Sequence, residues 1–270
     1  LWGNRSAALG LTLVLIYLVM FVCGALLLTP YAPTRQDAPN RLQPPQIGHL
    51  MGTDQFGRDI YSRIIRGSIF SLRVAFVAVA IAATVGTLIG MLSGYIGGWV
   101  DSLIMRILDI FFAFPAILLA LSIVAALGPG PNTPIPAVAI VYAPIFARIA
   151  RAPTLGVKNT EYVQAARSIG ARPLAILRWH VLPNILAPVF VTVGLALSWA
   201  LLTEAGLSFL GLGPQPPEPS WGLMLKEGRN LAEIAPWGVL YPGLAIMFAV
   251  LGFNLLGDGL RDLLDPRLRR

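Results

Sequence analysis

Few side chains in this sequence are equipped for chemistry: two histidines, one cysteine and the lysines Lys158 and Lys226 accompany 13 acidic residues in a chain of 270. A phosphate-binding loop needs a Gly-rich turn that runs into Gly-Lys-Ser/Thr, so that backbone N–H groups surround the phosphates. Neither lysine stands in that setting. H-E-x-x-H and G-x-S-x-G are also missing, and no Cys/His cluster has the spacing of metal ligands. Cys23 lies mid-way along an apolar run, has no intrachain partner, and reads as a small lipid- or core-facing side chain. No catalytic residue and no metal ligand is therefore assigned.

The polar residues that remain of interest lie in apolar surroundings or beside them. Asp109 stands one helical turn after Arg106, and an ion pair holding a helix end is the expected role. Glu204 follows a long apolar run, with Ser208 one turn on; an intramembrane carboxylate is a functional candidate by default. Asn254 and Asp258 frame the end of the last apolar run, where helix-end hydrogen bonding accounts for them. His49 and His180 are expected on opposite sides of a membrane and so share no metal.

One segment is neither apolar enough to span nor polar enough to be solvated all round: "TEYVQAARSIGARPLAILRWHVLPN", Thr160–Asn184. Tyr162, Ala165, Ala166 and Ile169 fall on one face of a helix, with Glu161, Gln164, Arg167 and Ser168 on the others. Thr160 is a candidate N-cap and Glu161 suits the positive helix end. Gly170 ends that helix and Pro173 opens a second at its first position. Such a helix pair fits a groove on another protein, or equally a helix lying on the bilayer surface. His180, within this segment, is expected to support it by hydrogen bonding.

The elements that position these residues follow from composition. The chain is 56% hydrophobic and 12% charged, about half the charge of a soluble domain, and its mean hydropathy is strongly positive. The deficit points to a bilayer. The basic residues lie between apolar runs and form no single stripe, so nucleic acid is not an expected partner. Runs free of charge are long enough to cross about 30 Å of hydrocarbon, and "LGPGPNTPIP" (Leu127–Pro136) divides the longest. The expectation is an all-α polytopic protein of one membrane domain (1–270), with about six helices over 8–29, 72–96, 104–127, 135–152, 185–206 and 236–257. An extracytoplasmic loop (30–71), a core of five membrane helices (72–257), a cytoplasmic loop (153–184) and a cytoplasmic tail (258–270) complete it.

Arg148–Arg178 and the tail, including Arg267, Arg269 and Arg270, favour both termini in the cytoplasm; Arg58–Arg73 runs against that bias. The chain opens on Leu1, so upstream residues are expected. Its first apolar stretch, Ala7–Leu28, is too long for a signal-peptide core, has no A-x-A site before Pro30, and reads as a retained helix. Gly86, Gly90, Gly94 and Gly98 recur every fourth residue, spacing that serves close packing within the subunit or against a partner. Gly206–Pro219 is Pro-rich, so it forms an outer loop on the membrane or a re-entrant turn bordering a cavity.

Thr160–Asn184 resembles the "EAA" loop of ABC importer permeases. Glu161, Ala165–Ala166, Gly170 and the closing Val181-Leu182-Pro183-Asn184 occupy matching places, while Tyr162-Val163 replaces the first Ala-Ala pair. That departure resembles the peptide-importer branch. "MGTDQFGRDIYSRIIRGSIFSLRV" (Met51–Val74), "GYIGGWVDSLIMRILDIFFAFP" (Gly94–Pro115), "EAGLSFLGLGPQPPEPSWG" (Glu204–Gly222) and "NLLGDGLRDLLDPR" (Asn254–Arg267) are similar to the C-type permeases of dipeptide, oligopeptide and nickel importers.

The resemblance implies a type I importer permease in the bacterial cytoplasmic membrane. It works beside a second homologous permease, two ATPase subunits that hold ATP and Mg, and an extracytoplasmic binding protein. It further implies that Glu161, Tyr162, Ala165, Ala166, Arg167, Gly170, Pro183 and Asn184 couple to the ATPase. Asp54, Arg58, Glu204 and Ser208 become candidates for the substrate pathway or for binding-protein docking; Glu204 can meet a peptide amino terminus or a metal ion, or only cap the next turn. Nickel and glutathione are alternative cargoes. A secondary transporter would usually carry an internal repeat, and none is evident between 1–135 and 136–270; an intramembrane enzyme lacks a catalytic set.

Overall fold

A computed structural model describes residues 5–128 and 130–264. Pro129 of the dividing turn, and Arg267, Arg269 and Arg270 of the tail, lie outside the described residues. Among the described residues the regular structure is helical, with isolated bridges at Gln46/His49 and Thr53/Asp59 in place of strands. This follows from the solvent: hydrocarbon supplies no hydrogen-bond partner, so each spanning segment must satisfy its own backbone.

Helix α1 (Arg5–Ala25) lies antiparallel against α10 (Trp237–Leu264). Ala7 touches Gly259, Gly10 meets the Leu255–Leu256 backbone, and Leu13 and Val14 meet Gly252. The Tyr17 hydroxyl donates to the Ala245 carbonyl at 2.7 Å. Gly24 sits on the Ile65 carbonyl, so α2 (Ile60–Ile96) starts where α1 ends and returns. Along α2, a Cβ on Gly86 or Gly90 would overlap the carbonyl of Ala143 or Ala147, and one on Gly94 would press on Thr154. The rising numbers on both sides show that α2 and α5 (Pro134–Val157) run parallel. Of the two expected roles for these glycines, packing within the subunit is the one observed. Gly98 is a correction: it lies beyond α2 at φ +60° with nothing within 4 Å, because Gly97 at φ +73° has already ended the helix.

Parallel α2 and α5 require a crossing between them. It is made by α3 (Gly98–Phe112) and α4 (Ala116–Leu127), which meet at a 92° bend. One span is expected over 104–127; Pro115 breaks it, since it lacks an N–H and drives Phe114 away from the α region. Counting the bent pair once, the helices make up to six crossings. Asp109 pairs with Arg148 of α5, and not with Arg106 as expected. Asp101 accepts from the Arg151 guanidinium at 2.6 and 2.5 Å and from Ser93, tying α3 to α5 and α2.

Two spans are longer than expected. Helix α2 begins at Ile60 and not at 72, because Asp59 caps it, accepting from the Ser62 N–H at 2.8 Å and the Ser62 hydroxyl at 2.7 Å. Its 37 residues reach about 55 Å, so its first turns project past a hydrocarbon layer of about 30 Å. Helix α10 runs to Leu264, into the expected tail. After α8 (Leu182–Phe209) the chain turns through Leu210–Pro219 into α9 (Trp221–Gly228), which the sequence reading does not contain. Trp221 is buried, with its indole N–H donating to the Ile64 carbonyl at 3.0 Å. The region after span five thus folds back into the bundle through Gly213, Pro214 and Pro219–Met224, while Gln215–Glu218 stay exposed.

Gly90→Val is expected to force α2 from α5 and destabilise the detergent-purified protein by about 1–3 kcal/mol. Gly156→Ala, where nothing stands within 4 Å, should leave the thermal midpoint unchanged or raise it. Thermal unfolding of both variants checks the pair.

Candidate functional site

The loop after α5 stands at the end of the bundle where α1 begins and α10 ends, since α2 and α5 both finish there. Three contacts hold it. The Lys158 ammonium donates to the Gly94 carbonyl at 2.7 Å, and the Arg167 guanidinium lies 5.1 Å from the Tyr95 ring centroid. The third is the buried underside of α6 (Glu161–Ser168): Val163 is 0% exposed and Ala166 is buried beside it. The expected apolar face was Tyr162, Ala165, Ala166 and Ile169. Only Ala166 is buried, while Tyr162, Ala165 and Ile169 face outward, Ile169 at 87% exposure. The inward face runs through Val163, which lies outside the expected face.

Thr160 stands at the N-cap position without capping; its hydroxyl donates to the Val157 carbonyl at 2.7 Å. Gly170, at φ +81°, closes the helix: its N–H donates to the Arg167 carbonyl at 2.9 Å and that of Ala171 to the Ala166 carbonyl at 3.0 Å. This paired bonding satisfies the last carbonyls of α6 and needs a residue that tolerates positive φ.

Pro173 opens α7 (Pro173–Ile176), which does not stand as a separate short helix. It continues through a π-turn at Leu177–Val181, where the Leu182 N–H reaches the Leu177 carbonyl, directly into α8. Pro183 has no N–H to give four residues back, and the wider turn accommodates it without breaking the rod. The rod therefore runs from Pro173 to Phe209, where the sequence reading starts its span at 185. The Asn184 amide donates to the His180 carbonyl at 2.6 Å and to the Tyr162 hydroxyl at 3.4 Å, and the Tyr162 and His180 rings lie 5.9 Å apart. His180 thus supports the loop through its carbonyl and ring. Glu161, Tyr162, Ala165, Ala166, Arg167, Gly170, Pro183 and Asn184 all belong to this one unit. Leu174 and Trp179, exposed on the same stretch, are additions to it.

At the opposite end, Asp54 and Arg58 are brought together, but under cover. Arg58 is 2% exposed; its Nε donates to Asp54 at 2.6 Å and its other nitrogen to Glu227 of α9 at 2.9 Å. Arg63, 1% exposed, donates to the same Glu227 oxygen at 2.8 Å. Arg66 reaches the Gly24 carbonyl at 3.2 Å. The Arg58–Arg73 exception to the charge bias is in good part a set of partnered cations. Glu204 and Ser208 meet inside the bundle, the Ser208 hydroxyl donating to Glu204 at 2.6 Å, and Glu204 is wholly buried. Ser208 stands one turn further along the same helix, so this contact is internal to α8. Arg63, Glu227 and Trp221 were missed; the helical phase of Arg63 behind Asp59 was the available signal for the first, and nothing local marked the other two.

A bundle with up to six crossings, a short helix clamped at the terminus end and a rod from that helix into the core define a multi-pass membrane subunit. The chain belongs to the family of binding-protein-dependent transport system inner membrane components, whose model matches residues 86–270. It is 46% identical over 98% of its length, and 87% of theirs, to the dipeptide transport system permease protein DppC of Alkalihalophilus pseudofirmus. It is 46% identical over 98%, and 88% of theirs, to the glutathione transport system permease protein GsiD of Escherichia coli. A putative peptide transport system permease of Brucella abortus is 44% identical over 100% of this chain and 90% of its own. Among solved structures, an inward-facing MetNI methionine ABC transporter superposes with a TM-score of 0.62 at 19% identity, covering 74% of this chain and 95% of that one, which supports the fold. The chain is a permease subunit of an ABC importer.

Removing Glu227 leaves two buried guanidinium groups to share Asp54. Glu227→Ala should cost about 3–5 kcal/mol, whereas Glu218→Ala, which loses only an exposed 3.5 Å pair with Arg66, should cost under about 1 kcal/mol. Unfolding midpoints in detergent test the contrast.

Proposed function

We propose that this subunit forms half of the translocation pathway for short peptides across the bacterial cytoplasmic membrane, with both termini and the Glu161–Asn184 loop in the cytoplasm. A second, homologous permease forms the other half. Two ATPase subunits, which carry ATP and Mg, receive the loops, and an extracytoplasmic binding protein delivers cargo. The observation that carries the reading is the unbroken rod from Pro173 to Phe209, with α6 fastened to its start by Gly170 and by the Tyr162–His180–Asn184 cluster. A push on Ile169, Leu174 or Trp179 reaches the membrane core along one continuous helix.

The peptide assignment rests on the relatives' names. Glutathione, itself a small peptide derivative, is the second cargo reading, because its permease is as similar to this chain as the dipeptide permease is. Competition for uptake between labelled dipeptides and glutathione separates the two.

Gly170 gives the test of coupling. No neighbour stands within 4 Å of its would-be Cβ, so a substitution acts through backbone strain of about 1–3 kcal/mol. Gly170→Val should reduce ATPase co-purification and peptide-driven ATP hydrolysis, while Gly170→Asn, which tolerates positive φ, retains most of both. Equal coupling in Gly170→Val and the parent would contradict the assignment.

A further inference from the structure

The Asp109–Arg148 pair bridges α3 and α5 at a depth where charge is expensive. The Arg148 guanidinium donates to one Asp109 oxygen and lies 4.0 Å from the Phe112 ring centroid. Both side chains stay half exposed, Asp109 at 55% and Arg148 at 49%. Arg148 stands about 21 Å along α5 from Pro134 and about 14 Å short of Val157. On a helix that crosses about 30 Å of hydrocarbon, that depth lies within the apolar layer.

Charged side chains inside spans face protein or a water-filled path, because turning them toward lipid is costly. An arginine can carry its charge away along a flexible stem. Asp109 holds its carboxylate one carbon from the backbone and has no such reach, so the exposed side of the pair calls for water or a polar ligand. A recess adjoins it. On α5, Ile145 leads one turn back from Arg148 to Tyr142, and one turn beyond Phe112 the chain forms the facing wall at Ala116 and Ile117. The recess holds about 570 Å³, within the range of about 300–1,000 Å³ usual for small-ligand sites. The ring of exposed Trp199 stacks on Tyr142 at 6.3 Å, and the Tyr142 hydroxyl lies 2.7 Å from that of Thr203. An apolar basin with a few fixed polar groups thus borders two opposite charges.

We propose that Asp109 and Arg148 hold the charged ends of a short peptide in passage. Asp109 takes the α-ammonium, Arg148 takes the α-carboxylate, and a peptide side chain enters the Tyr142–Trp199 recess. The proposal rests on the peptide-importer reading above and adds to it a place and a chemistry. Among the described residues, the ion pair uses one guanidinium nitrogen and one carboxylate oxygen. The second Asp109 oxygen and the other guanidinium N–H groups remain for a ligand, and a guanidinium matches a carboxylate in shape as well as charge. The two ends of a dipeptide stand at most about 7 Å apart, so one pair of adjacent charges can meet both. Between passages each residue neutralises the other, and no lone charge is left in the apolar layer. Such a site reads the ends of a peptide and not its sequence.

The test uses the whole transporter, both permeases and the ATPases, in lipid nanodiscs with a Cys23→Ser background. Leu202, exposed on the recess wall, is replaced by Leu202→Cys. A water-soluble thiol reagent should label it in the assembled complex. Dialanine at saturating concentration should slow that labelling several-fold, whereas N-acetyl-dialanine amide, which lacks both end charges, should not. Adding Asp109→Asn with Arg148→Gln should leave the labelling and raise the half-protective dialanine concentration roughly tenfold or more. Absence of labelling in the complex, which would mean cover by lipid or by the second permease, overturns the proposal. So does absence of protection by dialanine, equal protection by the blocked peptide, or unchanged protection in the uncharged pair. If the double variant fails to assemble, the comparison of free and blocked peptide on the parental pair decides. Uptake of dialanine by the parent complex separates the two readings: a complex that takes up none contradicts the peptide-importer reading, and uptake without protection contradicts this site alone.

Discussion

The approach of α2 to α5 at Gly86, Gly90 and Gly94 sets the position of nearly everything at the terminus end of the bundle. Lipid gives helices no hydrophobic reason to associate, so backbone-to-backbone packing through small residues has to supply the attraction. Because the two helices touch there, Lys158 reaches the Gly94 carbonyl and Arg151 reaches Asp101. Tyr95 then lies within range of Arg167, and Val163 finds a covered seat. Widening the helix pair would remove these contacts together. The short helix α6 is therefore placed by a packing decision made inside the membrane, one that its own eight residues are too few to make, since an isolated helix of that length is marginal.

The opposite end depends on charge instead. Two guanidinium groups are buried there only because Asp54 and Glu227 meet them, and Glu227 arrives on α9 from far along the chain. Burial of such groups without partners would be prohibitive. The cluster consequently specifies how α9 seats against the first turns of α2, together with the Trp221 indole bond to the Ile64 carbonyl. A subunit organised in this way has its terminus end fastened by small residues and the Asp101–Arg151 pair, and its other end by the cluster of Asp54, Arg58, Arg63 and Glu227, with the rod Pro173–Phe209 running between them.

Much of this was legible in the sequence, and the failures share a cause. Long uncharged runs announce spans because hydrocarbon excludes charge, and Gly170 and Pro173 announce a helix end and a helix start because their backbone chemistry is local. Arg58 and Arg63 were read as loop charges, since hydropathy scores a cation without knowing its partner; α2 consequently seemed to start twelve residues late. Pro115 was passed over inside an apolar run, although its missing N–H produces the 92° bend, whereas Pro183 was read as a boundary and is absorbed by a π-turn. Proline states that a hydrogen bond is lost, and only the neighbouring helices decide whether the chain bends or widens there. In the candidate site, the motif residues come together, but which face of α6 is covered depends on Tyr95 and Gly94, which lie more than sixty residues away in sequence.

The proposed coupling places the outward apolar residues of the Glu161–Asn184 unit under an ATPase subunit in the working transporter. Ile169 is the most direct probe, because it is 87% exposed in the isolated subunit. With Ile169→Cys in a Cys23→Ser background, a water-soluble thiol reagent should label the isolated permease readily. In the assembled complex that labelling should be suppressed, and a short bifunctional cross-linker should join Ile169→Cys to the ATPase. Equal labelling in both states, with no cross-link to the ATPase, would contradict the account.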